Sequence, residues 1–242
     1  MPAAPSHQRF VAHIDILGMS HLVERDAELA WRLLSTLVEA RNDVSSYELT
    51  FLDTAERTPV GAQIHAVTFS DTILLFTRSN RLIDLRTILV VTTEIFNKAL
   101  STSVPVRAGI AHGTFFFNLT DSMYAGPALI EAYRIGEAAQ WVGITVSETV
   151  YHRAKEAAVR SGNFDVVIPA EIPMDKGVSA GYAVNWPAIL PRWPNVKLPI
   201  TVPQFYSALE QFFGPFDHLP RRARAKYENT VTFYNAHAAA NE

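Results

Sequence analysis

Two aspartates stand where aspartate is costly. Asp15 interrupts the apolar run F-V-A-H-I-D-I-L at 10–17, and Asp71 lies in F-S-D-T between two β-rich runs. A carboxylate with such flanks costs stability unless it is paired or holds a cation. If both segments belong to one sheet, the two side chains converge, and a cation between them offsets their repulsion. Oxygen ligands of this kind suit Mg²⁺ or Mn²⁺, which bind through one or two carboxylates together with substrate phosphates. Either aspartate alone also fits a strand-end or hairpin residue bonded to backbone amides; the pair favours the metal. Arg134, in A-L-I-E-A-Y-R-I-G-E, is three residues from both Glu131 and Glu137. That spacing serves an intrahelical ion pair or a guanidinium reaching out to phosphate oxygens. Lys176, in M-D-K-G, is a second phosphate contact or a turn lysine. His13, His21, His65 and His112 have no metal-ligand spacing and read as strand or surface groups.

Short strands and amphipathic helices must position these groups. Phe10–Leu17 reads as a buried strand ended by Gly18, with Ser20 as cap of a helix carrying Leu22, Leu29, Leu33, Leu37 and Val38. Strands are expected at Tyr47–Leu52, Ala62–Phe69 and Thr72–Thr77, with Asp71 at the tip of the hairpin joining the last two. A helix capped by Asn80 follows to Leu100. Next come a strand at Val106–His112, a turn at Gly113 and a helix from Pro127 to Trp141. A strand at Ile144–Val146, a helix capped by Ser147 to about Arg160, and strands at Asp165–Ile168 and Gly181–Asn185 complete the pattern. The order is mixed α/β with hairpins. After Trp186, five prolines between 187 and 203 punctuate the chain, so the expected division is a core over 1–186 and a Pro-rich linker with a helical extension over 187–242. The basic stretch Arg221–Lys226 reads as a solvated helix face.

The composition fits a packed core: 48 % of the 242 residues are apolar and 11 % aromatic. With no cysteine, disulfides, thiolate zinc sites and iron–sulfur clusters are excluded. The formal charge of −3 shows no bulk affinity for nucleic acid or anionic membrane, so an anionic ligand needs local cations or a metal. No run of about 18 apolar residues occurs, and Met1–Gln8 has no apolar leader segment, so the expected compartment is the cytoplasm.

The ordered motifs resemble class III nucleotide cyclases. H-I-D-I-L-G-M at 13–19 is similar to the family's F-x-D-I-x-G-F, and T-F-S-D at 68–71 to its T-I-G-D hairpin. V-R-A-G-I-A-H-G at 106–113 matches V-R-x-G-I-x-x-G, and G-P-A-L-I-E-A-Y-R-I at 126–135 loosely matches G-x-x-V-N-x-A-x-R-L. G-I-T-V-S-E-T-V at 143–150 also resembles the family. The resemblance spans about 10–186 and implies a ferredoxin-like domain with a mixed, mainly antiparallel sheet and flanking helices. It implies two divalent cations, Mn²⁺ or Mg²⁺, held by Asp15, Asp71 and the Ile16 carbonyl. Arg134 is then the group on the α-phosphate and Lys176 the group on the outer phosphates, in a homodimer whose sites are shared between protomers.

The departures concern the base. His65 stands where adenine-selective members carry lysine, Met123 where they carry aspartate, and Ile130 where an asparagine is usual. Retained metal and phosphate groups without the purine-reading pair resemble the pyrimidine cyclases of bacterial antiphage (Pycsar) systems. This resemblance implies conversion of UTP to 3′,5′-cyclic UMP, a messenger acting on a separate effector, with His65, Met123 and Tyr124 lining the base pocket. Rival expectations are a cytidylate cyclase, an adenylate or guanylate cyclase with an unusual pocket, and a nucleotide-binding protein without turnover.

Overall fold

Alternation along β1 (Gln8–Ile16) divides one strand between two environments. Phe10, Ala12, Ile14 and Ile16 enter the main core, while Val11 joins a smaller cluster on the opposite face, the face that also carries His13 and Asp15. A computed structural model describes residues 7–45, 50–52, 59–61, 64–189 and 198–238. The main core is closed by α1 (Met19–Arg25), α2 (Ala27–Ser45) and α3 (Leu82–Ser101), whose Leu22, Leu33, Leu37, Ile88 and Phe96 are buried against it.

The central sheet adds β2 (Ile64–Phe69), β3 (Thr72–Thr77), β4 (Val106–Thr114), β5 (Ile144–Val146), β6 (Val167–Met174) and β7 (Gly177–Val184). Its seven strands run in the order β6-β7-β5-β4-β1-β3-β2, antiparallel throughout except for the β4–β5 pair. The mixed, mainly antiparallel sheet with flanking helices agrees with the expected fold class. On the face opposite the main core lies α4 (Pro127–Ala138), with Ala128 and Ala132 packed on Val11, Leu74, Phe76 and Ala111. This approach requires glycine at 109. A Cβ there would fall 2.0 Å from the Ala132 carbonyl oxygen, and one at Gly136 would fall 2.9 Å from the Gly109 nitrogen.

Two further helices are α5 (Glu148–Glu156), where Ser147 caps as expected by accepting from the Val150 N–H, and α6 (Arg221–Ala238). The segment from 198 onward packs into the same core as the sheet. Phe205, Tyr206, Tyr227, Val231 and Tyr234 are buried with Trp186, and Thr230 Oγ1 accepts from the Val142 N–H at 2.8 Å.

Several boundaries differ from expectation for local reasons. The helix after Gly18 starts at Met19 rather than behind a Ser20 cap. It breaks at Asp26, where the Asp26 carboxylate accepts from the Leu29 N–H and starts α2. Asn80 does not cap α3: Asp84 accepts from the Arg81 N–H, and the Asn80 carbonyl instead accepts from Arg153. Gly113 makes no turn, because β4 continues opposite Arg9 to Thr114. The Pro127 helix stops at Ala138, before an extended Ala139. The helix after Ser147 ends at Glu156, ahead of Ala158 at φ 46°. β7 is longer than expected because its outer portion is exposed and carries little apolar pattern, and β6 because Pro169 and Pro173 interrupt a segment that still buries Ile172. Of the strands expected at Tyr47–Leu52 and Ala62–Phe69, the parts at 47–49 and 62–63 lie outside the described residues.

Candidate active site

Asp15 ends the α4-facing side of β1, and its two neighbours there are set by register: Arg107 of β4 and Thr72 of β3. Arg107 donates from Nε and Nη2 to Asp15 Oδ2 at 3.3 and 3.2 Å. It also donates from Nη2 to the Glu137 carboxylate and from Nη1 to the Glu137 carbonyl at 2.9 Å. The close seat of α4 on Gly109 brings Glu137 over Arg107, so the strand pairing and the helix packing build one network.

Asp71 occupies the tip of the β2–β3 hairpin, as expected, after Ser70 in the left-handed region at φ 53°. Its carbonyl accepts from the Ile16 N–H at 3.4 Å, which links the hairpin tip to the end of β1. The Asp15 carboxyl is pushed up to about 7, chiefly by burial; Arg107 opposes the shift, and Asp71 and Glu137 add to it. Two carboxylates therefore contact one guanidinium, and a third, Asp71, acts on Asp15 through its charge. No group of three His, Asp or Glu side chains among the described residues is arranged to hold an ion. The donor set implied by the sequence is smaller, two carboxylates and the Ile16 carbonyl, and the surplus negative charge suits a divalent cation. Arg107 contacts only Oδ2, so Asp15 Oδ1 has no hydrogen bond among the described residues.

The two expected phosphate groups lie apart from this network within one chain. Arg134 projects from α4 into solvent, with no hydrogen bond or ion pair among the described residues. The intrahelical alternative is thus not formed, because Glu137 is engaged by Arg107 instead. Lys176 is exposed on the two-residue turn between β6 and β7, where the preceding Asp175 pairs with Arg222 at 2.8 Å.

Two of the three expected base-pocket residues, His65 and Tyr124, gather at the other end of the same sheet face, and Met123 does not. The His65 ring lies 5.2 Å from Phe76 and 5.4 Å from Phe117, and Tyr124 lies 5.7 Å from Phe76. Burial lowers the His65 pKa, helped by Arg78 and Arg9, which favours the neutral imidazole. Met123 and Ile130 point outward, 63 % and 67 % exposed. His65 and Tyr124 therefore meet around Phe76, and neither is a charged reader of a base.

Arg107 and Glu137 are the members of the site that sequence reasoning missed. The signal was present: Arg107 sits between apolar residues in V-R-A-G-I, the same costly placement that singled out Asp15. A third is Lys226 of α6, half-buried rather than on a fully solvated face. Burial and the charges of Arg107 and Arg222 lower its pKa, while Glu137 and Asp15 oppose that shift.

With this geometry in place, the comparisons with known proteins are informative about fold. The dimeric guanylyl cyclase domain of the RhoGC fusion protein from the aquatic fungus Blastocladiella emersonii is similar, with a TM-score of 0.52 and 15 % identity over 75 % of this chain and 98 % of that one. An adenylate cyclase from Trypanosoma brucei gives a TM-score of 0.52 and 11 % identity over 81 % and 95 % of the two chains. The catalytic core of a rhodopsin–guanylyl cyclase with converted specificity, in complex with ATPαS, gives 0.52 and 16 % over 74 % and 94 %. The fold is that of a class III nucleotide cyclase domain. No family model and no curated relative matches the chain.

Proposed function

We propose that this chain is a nucleotide cyclase whose preferred substrate is UTP. The observation that carries the reading is the meeting of Asp15 and Asp71 at one end of a cyclase-type sheet, with excess negative charge around them. The reaction joins the ribose 3′-oxygen to the α-phosphorus. The bond from that phosphorus to the bridging oxygen breaks, pyrophosphate leaves, and the hydroxyl proton passes to solvent. Asp15, Asp71 and the Ile16 carbonyl would hold two divalent ions, Mg²⁺ or Mn²⁺, which when bound neutralise the triphosphate and lower the pKa of the 3′-hydroxyl.

The protein's own groups orient the rest. Arg107 holds the Asp15 carboxylate against β4 and ties it to α4 through Glu137. Arg134 donates to the oxygens of the α-phosphate, a contact worth about 3 kcal/mol or roughly a hundredfold in rate when preorganised. Lys176 reaches the outer phosphates. Arg134 and Lys176 serve the site of a second protomer, an arrangement supported by their lack of contact with Asp15 in their own chain. The outward face of α4, where Ile130 and Tyr133 are exposed beside Arg134, supports the same pairing.

The aromatic surroundings of His65 and Tyr124, with no lysine–aspartate pair, favour a pyrimidine over adenine. Cyclic UMP would serve as a messenger to a separate effector in phage defence, as the motif resemblance implies. The test is incubation of the purified protein with Mn²⁺ and each of ATP, GTP, CTP and UTP, with products identified by mass. Cyclic UMP is expected. Cyclic CMP alone moves the preference to CTP, cyclic AMP alone removes the pyrimidine assignment, and no product with any nucleotide removes the cyclase assignment.

A further inference from the structure

A cavity of about 420 Å³ opens where β1 hands over to α1, walled on its outer side by the C-terminal segment. That size lies within the ~300–1,000 Å³ usual for small-molecule sites. Its inner wall is Leu17 and Gly18, which directly follow Asp15 and Ile16. Four basic side chains line it, His21, Arg25, His218 and Lys226, and no Asp or Glu does.

The outer wall is held in place independently of any ligand. Arg25 donates to the Phe212 carbonyl, and the Tyr206 hydroxyl donates to the Gly214 carbonyl at 2.8 Å. Phe213 packs on Gly18, where a Cβ would come within 3.2 Å of the ring and the backbone stands at φ 80°. Glycine at 18 therefore both makes the turn out of β1 and admits the C-terminal segment. Lys226 is half-buried, and its ammonium has no hydrogen bond or ion pair among the described residues. An ammonium in that position loses hydration without a fixed partner, which is the condition an anionic ligand reverses.

We propose that this cavity is a polyphosphate site, in which Lys226 and His218 of the C-terminal segment bind the outer phosphates next to Asp15 of the same chain. The identity of the anion rests on the cyclase reading: the polyphosphate is the tail of the substrate and then the departing pyrophosphate. The basic lining itself does not depend on that reading. The C-terminal segment is then a wall of the site, and the cation it supplies comes from the protomer that carries Asp15, unlike Arg134 and Lys176.

The test is calorimetric titration of the full chain with inorganic pyrophosphate in the presence of EDTA, so that neither turnover nor a divalent ion is needed. The wild type is expected to bind. Lys226→Gln should weaken binding about tenfold, the size of one hydrogen bond to a charged group. Arg222→Gln, one turn away and paired with Asp175 outside the cavity, should leave affinity within about twofold, as a merely delocalised charge effect would not. Equal affinity of Lys226→Gln and Arg222→Gln, or no binding by the wild type, overturns the proposal. If Lys226→Gln does not fold by circular dichroism, His218→Gln at an exposed position takes its place, and unchanged affinity there overturns the proposal in the same way. A protein that binds pyrophosphate through Lys226 yet cyclises no nucleotide would sink the cyclase reading and keep this site. One that cyclises a nucleotide with no role for Lys226 would do the reverse.

Discussion

At one end of the sheet face beneath α4, Asp15, Arg107 and Glu137 share hydrogen bonds; at the other, His65, Phe76, Phe117 and Tyr124 meet ring to ring. The charged end draws on β1, β4 and α4, and the aromatic end on β2, β3 and the paired segments Phe116–Asn118 and Met123–Ala125, so one sheet face carries two differently built ends. The charged end is held by directional contacts whose partners are dictated by register, and each loss leaves a buried charge behind. The aromatic end is held by non-directional contact, which tolerates changes of shape and polarity more readily. The first arrangement suits chemistry that needs fixed charge, and the second suits contact with a flat, neutral ring.

The largest expected effect lies at the charged end. Asp71→Ala should lower cyclase turnover about a thousandfold, through loss of about 4 kcal/mol of transition-state stabilisation. Arg134→Ala should cost about a hundredfold. An equimolar mixture of the two inactive proteins should regain activity as one intact site per heterodimer; no recovery on mixing breaks the assignment of the two groups to different protomers. Next is Arg107→Met, which leaves Asp15 and Glu137 without their shared cation. It should destabilise the protein by about 3 kcal/mol in urea unfolding, and an effect below about 1 kcal/mol would show the network to be solvated rather than structural.

At the aromatic end, His65→Ala should raise KM for UTP about fivefold with kcat nearly unchanged, as loss of uniform binding predicts. A fall in kcat of the size seen for Arg134→Ala would erase the contrast between the two ends. The smallest effect concerns pH. His112 lies on the core side of β4, its ring centroid 4.7 Å from that of Phe10 and tilted by 45°, with Arg153 Nη1 2.7 Å from its Nε2. Burial first and the Arg153 charge second lower its pKa from 6.5 to about 4. A folded-state value below the unfolded one means that its contribution is fully present above about pH 6.5 and is lost as pH falls through about 4. Thermal unfolding of His112→Phe should therefore vary less with pH across that window than the wild type does.

The sheet and its hairpin tip were legible because burial imposes a pattern on sequence. The alternation in Phe10–Ile16, the apolar Thr72–Thr77 and the short Ile144–Val146 all report the two faces of buried strands. The outer half of β7 is illegible for the converse reason, since exposed strand residues are under little pressure to alternate. Asp15 and Asp71 were legible as candidates because a carboxylate among apolar residues is costly wherever it lies. Their meeting depended on the register of β1 against β3 and on the Ile16–Asp71 contact, which are long-range pairings that composition does not encode.

By itself, then, the sequence determined which residues are out of place in an apolar setting and which order of strands and helices could carry them. It also determined that no cysteine chemistry is available and that the chain is too acidic to bind a polyanion by bulk charge. Only the tertiary structure decided the partners. Glu137 pairs with Arg107 rather than with Arg134 in its own helix, because the glycines at 109 and 136 let α4 settle onto β4. Lys226, distant in sequence, comes into the electrostatic reach of Asp15 because Tyr227, Val231 and Tyr234 bury the same helix in the common core. Local pattern reports whether a side chain is buried, whereas the choice among buried partners is made by how closely two backbones can approach.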